Sequence, residues 1–303
     1  MTRAWIANLC LLLVAFVWGS TFIIVQKAVQ TLPPLAFNAV RFLGATFLFV
    51  IIMMLMYRRR KYNWSRKLLL HGSLLGCWLF GAYALQTIGL LHTTTTNTGF
   101  ITGISVVLVP FAMLLFMRQR LAWSTWAAAM IAFVGLYLLT FNGGVLTFNK
   151  GDLLVFFCAI CFALQIALTG KYAPVYDTLP LVIVQLGTVG VLSAVFSLFT
   201  ESLGSPAALW TSLTNSDVLV ALAVSIGLST AFAFWAQTWS QRYTSATRVA
   251  IIYATEPVFA AITGVTFANE TLGGWAIVGC ALIFGGMVLA EIRWKPKKST
   301  ISA

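Results

Sequence analysis

Charge is the scarcest ingredient of this sequence. Only 9% of its 303 residues are Asp, Glu, Lys or Arg, against roughly 25% in soluble globular domains. Such a chain cannot clothe a water-facing surface without leaving wide apolar patches, which excludes a soluble monomer. Acidic residues are fewest, at 7, and there are 2 histidines, so acid–base and metal chemistry have few carriers. His71 and His92 fall near opposite ends of one apolar run and cannot share a metal ion. H-E-x-x-H, the phosphate-binding P-loop and the dinucleotide glycine fingerprint are all missing from the chain, and no metal or cofactor is expected. The cysteines Cys10, Cys77, Cys158, Cys161 and Cys280 sit inside apolar runs rather than in the loops of an extracellular disulfide framework. The Cys158-x-x-Cys161 pair reads as small packing residues, because a redox pair needs solvent access and a lowered pKa. No small-residue cleavage site follows the apolar stretch after Arg3, which marks a spanning helix and not a removed signal peptide.

Hydrophobic residues, by contrast, make up 60% of the chain. Continuous apolar runs long enough for a helix to cross a ~30 Å hydrocarbon core are predicted near 4–29, 35–57, 68–91, 94–117, 123–141, 151–172, 179–200, 217–241, 244–268 and 272–291. They do not alternate as barrel strands would, and a helix satisfies its own backbone hydrogen bonds in lipid. The expected fold is an all-α polytopic membrane protein with ten transmembrane helices. Turn residues punctuate the runs at Pro33-Pro34, Asn142-Gly143-Gly144, Pro180, Gly204-Ser205-Pro206 and Gly273-Gly274.

The net charge of +12 is explained by its distribution. With the N-terminus inside, the inner segments hold Arg3, Arg58 to Lys61, Arg66, Lys67, Arg118, Arg120, Lys171, Arg242, Arg248, Arg293, Lys295, Lys297 and Lys298, which is 16 of the 19 basic residues. Only Lys27, Arg41 and Lys150 remain for the outer side. The positive-inside rule then puts both termini in the cytoplasm of a multi-pass protein of the inner or plasma membrane. No nucleic-acid partner is needed, and Arg58 to Lys67 suits anionic lipid head groups.

The segments 1–145 and 148–298 each contain five of the runs, and an odd number turns the second copy upside down relative to the first. Gln86-Thr87 and Gln237-Thr238 support that repeat, each glutamine preceding Thr93 or Thr244 by seven residues. Arg120 and Glu270 likewise precede Gly135 and Gly285 by fifteen. The expected organisation is two inverted five-helix repeats.

With Trp18-Gly19-Ser20, Arg41, the stretches 84–90 and 97–103, Gly151-Asp152, Gln237, residues 244–248, Glu256-Pro257 and Glu270 in this order and spacing, the chain resembles the drug/metabolite transporter superfamily in its EamA-like branch over essentially its whole length. Arg120 departs from that resemblance, standing where many relatives have a glutamate like Glu270. The resemblance implies a secondary transporter without a cofactor, more often an exporter than an importer. Amino acids, nucleosides, small organic cations and exported metabolites are among the substrates of such proteins.

A charged or polar group inside a bilayer costs roughly 2.5–3.5 kcal/mol at a helix centre, which makes each one a candidate until it is paired. Glu256 stands near the middle of its run and is followed by Pro257, which removes a helical hydrogen bond and frees carbonyls to line a cavity. It is a candidate proton or cation site, the alternative being a structural ion pair. Arg41 and Arg248 are candidates for gating or charge pairing, or else interfacial anchors. Trp18, Tyr83, Gln86, Asn97, Gln165, Trp235 and Gln237 are the candidate substrate contacts, because apolar walls with a few convergent polar groups are typical of small-molecule sites. The competing role for these residues is interhelical packing and hydrogen bonding. Gly99, Gly103, Gly135, Gly279, Gly285 and Gly286 are expected where helices approach closely.

The reading that results is a membrane transporter of a small organic metabolite or drug, working by alternating access in the lipid bilayer, with protons as the candidate coupling ion. The alternative is an uncoupled facilitator or channel. An intramembrane enzyme is disfavoured, because Glu256 has no histidine or aspartate at similar depth. Oligomeric state carries no sequence signal.

Overall fold

The computed structural model describes residues 3–56, 62–119, 121–141, 149–268 and 273–291. Arg58 to Lys61, Arg120, Asn142 to Gly144, Glu270, Arg293, Lys295, Lys297 and Lys298, named above, lie outside them. Among the described residues the protein is all-helical. The helices are α1 (Arg3–Thr31), α2 (Pro34–Met56), α3 (Arg66–Gly89), α4 (Thr95–Gly103), α5 (Ser105–Met117), α6 (Trp123–Phe141), α7 (Lys150–Tyr172), α8 (Thr178–Thr200), α9 (Pro206–Leu213), α10 (Ser216–Val224), α11 (Ala233–Ser240), α12 (Ala246–Tyr253), α13 (Glu256–Ala268) and α14 (Gly274–Glu291).

Among the described residues eight spans are long and apolar enough to cross a membrane; they include α4 with α5 as 97–117, and α10 through α11 as 216–240. The other two expected runs look different. The ninth is divided into α12 and α13 at Ala254–Thr255, ahead of Pro257, and α14 is a shorter apolar helix. Between α10 and α11 the backbone follows a π-helix over Ser225–Phe232, a form concentrated at functional sites. The Gly204-Ser205-Pro206 turn leads into α9, which buries no residue. Proline at its start and the Ser205 cap account for that short helix.

Local chemistry sets the helix starts. Ser65 accepts from Leu68 N, Thr94 from Asn97 N and Ser245 from Arg248 N. Asn149 and Asp152 form a reciprocal capping box at α7. α2 begins with Pro34, and its next two amides are capped from a distant helix: Leu35 N and Ala36 N donate to the two Glu201 carboxylate oxygens at 2.7 and 2.9 Å, with Ser197 Oγ donating at 2.7 Å. This staple joins the end of α8 to the start of α2. Glu201→Ala is therefore expected to cost about 1 kcal/mol, the usual scale of a lost cap. The expected readout is a lower midpoint of thermal unfolding in detergent, and an unchanged midpoint would show that α2 holds its start without the cap.

The helices pack in a pattern with an internal correspondence. α6 lies on α14 and α2 on α8; α3 packs on α7 as α1 packs on α10 and α11; α4 and α5 pack on α7 as α12 and α13 pack on α1. The α6–α14 contact is nearly backbone to backbone, since a Cβ on Gly135 would lie 2.6 Å from Gly279 O, and one on Gly286 would lie 2.8 Å from Ala128 O. Small residues permit such approach where helices lack a hydrophobic drive to associate. Gly99 and Gly285 face open space and are not packing glycines. The outer faces carry large exposed side chains such as Phe47, Leu55, Leu115, Phe116 and Phe199, which suits lipid and not water.

Candidate functional site

A cavity lies at the centre of the bundle, between α1, α2, α3, α4, α7, the π-helical turn, α11 and the break between α12 and α13. It extends toward the end of the bundle where α1 and α3 finish and α2, α4 and α7 begin. Toward the other end it meets a packed cluster that includes Leu11, Val14, Val109, Ala167, Ala233 and Val249.

Among the residues singled out from the sequence, Trp18, Arg41, Tyr83, Gln86, Gln165, Gln237 and Glu256 all line this cavity. Gln86 and Gln237 each stand three residues before the end of their helix, α3 and α11. Because those helices run in opposite senses, Gln86 lies at the mouth and Gln237 at the floor. Gln86 Nε2 donates to Thr102 Oγ1 at 3.1 Å, and Gln237 Nε2 donates to Gln165 Oε1 at 3.1 Å. Both amides thus bond across helices and still face the cavity.

The π-helical turn explains how Trp18 and Arg41 are held. Ser229 O accepts from Trp18 Nε1 at 2.8 Å and from Arg41 Nη2 at 3.1 Å. Arg41 also donates to Ser229 Oγ and Thr230 Oγ1. Its guanidinium carbon lies 4.8 Å from the centroid of the Tyr83 ring and 5.3 Å from that of Phe42, within the range of cation–π attraction. Arg41 is only 4% exposed, so it does not snorkel; hydroxyls, one carbonyl and two rings take the place of water. Trp18 in turn packs edge-on to Tyr253, with ring centroids 4.9 Å apart.

Glu256 opens α13, directly after the helix break. Its carboxylate takes no hydrogen bond or ion pair from the described residues and borders the cavity. It is the cavity's one acidic side chain among the described residues, and Arg41 is the one basic side chain. The bundle therefore presents a tethered cation and an untethered carboxyl group to the same space.

Three expected site residues lie elsewhere. Asn97 Nδ2 donates to Asp152 Oδ1 at 3.3 Å, and Thr93 Oγ1 donates to the same oxygen. One turn at the start of α4 is thereby clasped to the start of α7, outside the cavity. Trp235 stacks on Trp239 with centroids 6.1 Å apart and is 37% exposed on the bundle's outer face, because its position on α11 is not that of Gln237. Arg248 donates to Ala290 O in the last turn of α14, where a cation suits the helix C-terminus. Conversely, Thr102, Ser105, Phe162 and Ser229 line the cavity although nothing in the sequence distinguishes them. Small hydroxyls within apolar helices are common as packing groups.

No group of three or more His, Cys, Asp or Glu residues that could hold a metal occurs among the described residues.

The EamA-like transporter family model matches the chain twice, at residues 5–141 and 149–291. A protein of Archaeoglobus fulgidus described as "Uncharacterized transporter" is 33% identical over 287 residues, covering 95% of this chain and 86% of its own length. A second Archaeoglobus fulgidus protein with the same description is 25% identical over 295 residues, covering 94% and 97%. A solved structure described as "Crystal structure of protein" shares the fold, with a TM-score of 0.77 at 18% identity over 97% of this chain and 98% of that one. A central cavity in an apolar helical bundle and a family match spanning both halves converge on one conclusion: the chain belongs to the EamA-like transporter family, and is a membrane transporter rather than an enzyme.

Proposed function

We propose that the protein exports a small organic metabolite or drug by alternating access, with the central cavity as its binding site and Glu256 as the group that exchanges a proton. The observation that carries this reading is the cavity itself. It combines apolar and aromatic walls, amides from both halves and one carboxyl group without a hydrogen-bonding partner among the described residues, and it is sealed at one end by packed side chains. That seal favours a carrier with a site open to one side at a time over a continuous channel.

Ten spans in two inverted repeats, 1–145 and 148–298, complete the proposal. An offset of 151 residues relates Gln86 to Gln237 and Thr93 to Thr244. The same offset takes the helix interruption at Ile104, between α4 and α5, to the one at Thr255, and the Gly135–Gly279 contact to that of Gly286 with Ala128. Gly286 is accordingly the better counterpart of Gly135 than Gly285. Under this reading α12 and α13 are the halves of one discontinuous span, and both termini are cytoplasmic in the cell membrane. The cavity then faces outward. Reporter fusions after residue 62 and near the C-terminus are expected to report cytoplasm, and one near Gly204 the outside; an inversion of any of these would remove the inverted repeat.

The functional test compares metabolites inside and outside cells that lack or overproduce the protein. Overproduction is expected to deplete one small class of organic solutes inside and enrich it in the medium, and Trp18→Ala to cancel both changes. Accumulation inside the cells instead would mean uptake. Cysteine placed at Gln86, with the native cysteines removed, is expected to react with a small polar thiol reagent from the outer face and to be protected by that solute. A cysteine that never reacts would make Gln86 an interhelical bond and nothing more.

A further inference from the structure

A second recess lies outside the transport cavity, on the bundle surface between α2, the start of α8 and the stretch from α10 to α11. Its walls are apolar, formed by Leu48, Phe49, Ile52, Gly227, Phe232 and Trp235. At the end where α2 finishes, its rim turns polar with Tyr62, Thr178, Arg242 and Tyr243, and Asp177 joins them there. We infer that this groove holds one anionic diacyl phospholipid of the leaflet on that side, with its phosphate at Arg242 and an acyl chain along the π-helical turn.

Length, charge and shape support this occupant. From Gly227 to Trp239 the helix advances at most ~18 Å, the value for an α-helical rise of 1.5 Å per residue, close to the ~15 Å depth of one leaflet of a ~30 Å hydrocarbon core. Arg242 is exposed at the rim, and no side-chain acceptor is found for it among the described residues. A guanidinium is well suited to bidentate phosphate contacts. Asp177 and Tyr62 at the rim each already interact within the protein. Trp239 stacks on Trp235 at 6.1 Å and meets Tyr243 at 5.1 Å with the rings tilted by 59°, and Arg3 lies 5.7 Å above the Tyr243 ring. This is the aromatic and cationic composition of a membrane interface. Deeper in, a Cβ on Gly227 would meet no protein atom within 4 Å. The π-helical turn is thus shared: Ser229 faces the transport cavity while Gly227 and Phe232 face the groove.

Native mass spectrometry of the full-length protein in detergent tests the assignment, with phosphatidylglycerol and phosphatidylcholine of identical acyl chains as probes. The wild type is expected to retain one phosphatidylglycerol at a severalfold lower lipid concentration than phosphatidylcholine. Gly227→Leu fills the groove without altering charge and is expected to abolish retention of both. Arg242→Gln should retain both equally. Trp235→Ala, on a half-exposed side chain, replaces Gly227→Leu as the groove variant if that protein is not monodisperse, and should weaken retention of both lipids. Equal retention of the two lipids by the wild type, undiminished retention by the groove variant, or continued discrimination by Arg242→Gln would each overturn the proposal. So would a dimer lost on Gly227→Leu, since the groove would then seat a second copy of the chain.

Discussion

Glu256→Gln is expected to abolish accumulation of substrate against its gradient in proteoliposomes while substrate binding and substrate-for-substrate exchange persist. The expectation follows from the position of Glu256 at the break between α12 and α13, on the cavity wall and without a hydrogen-bonding partner among the described residues. An isolated anion is costly in a low-dielectric span, whereas the neutral acid crosses a closing gate readily. If proton and substrate compete for this carboxyl group, the protonated carrier can return empty while the ionised one takes up substrate. Each ligand then weakens the other, with a coupling on the usual scale of ~1–3 kcal/mol, or 5–150-fold. Glutamine keeps the size and hydrogen-bonding capacity of the protonated acid but cannot release the proton, so substrate should still bind, more weakly by up to that coupling, and the ratio of internal to external substrate should fall toward unity. Exchange needs no change of protonation and should remain. Imposing a pH gradient should drive accumulation by the wild type and leave the variant indifferent. A variant that still accumulates substrate with unchanged pH dependence would make Glu256 structural, and coupling would then run through the substrate's own charge.

The residues that could be placed from sequence alone were those whose cost in lipid is conspicuous. Arg41, Gln86, Gln165, Gln237 and Glu256 are polar groups inside long apolar runs, and all of them border one cavity. Their partners were less legible, because a carbonyl or a hydroxyl acquires meaning only from its surroundings. Ser229 is the plainest case: its carbonyl accepts two side-chain donors within a π-helical stretch, and Ser225–Phe232 carries no proline, while a single glycine inside an apolar run does not announce such a turn. Asn97 failed for a related reason. As a polar residue opening an apolar run it reads as a substrate contact, but the capping box at α7 leaves an Asp152 oxygen facing Thr93 and Asn97, and this local partner claims the amide. The helix break at Ala254–Thr255 was foreshadowed by Pro257. Its counterpart at Ile104 was not, since Pro110 lies within α5 instead of at the interruption.

Arg41 offers the second large effect, and its direction separates architecture from recognition. Arg41→Leu should destabilise the protein by about 3 kcal/mol, the order expected when a buried charged donor is removed and its acceptors remain. Of its two side-chain donors Ser229 O would keep Trp18, Ser229 Oγ and Thr230 Oγ1 would lose the guanidinium, and the rings of Tyr83 and Phe42 would lose the cation beside them. Four helical segments meet around this guanidinium: α1 through Trp18 on the shared Ser229 carbonyl, α2 through Arg41 itself, α3 through Tyr83, and the π-helical turn through Ser229. Weakening it should loosen the cavity wall as a unit. Lysine restores the charge but not the planar fork that reaches several acceptors, so Arg41→Lys should recover only part of the lost stability. The measurement is thermal unfolding of purified protein in detergent without substrate, paired with substrate binding on the same preparations. Destabilisation in the order wild type, Lys, Leu from most to least stable assigns Arg41 to the scaffold. A leucine variant that unfolds with the wild type but no longer binds an anionic or zwitterionic solute would move Arg41 into the binding site, opposite Glu256, and make the cavity selective for solutes bearing both charges.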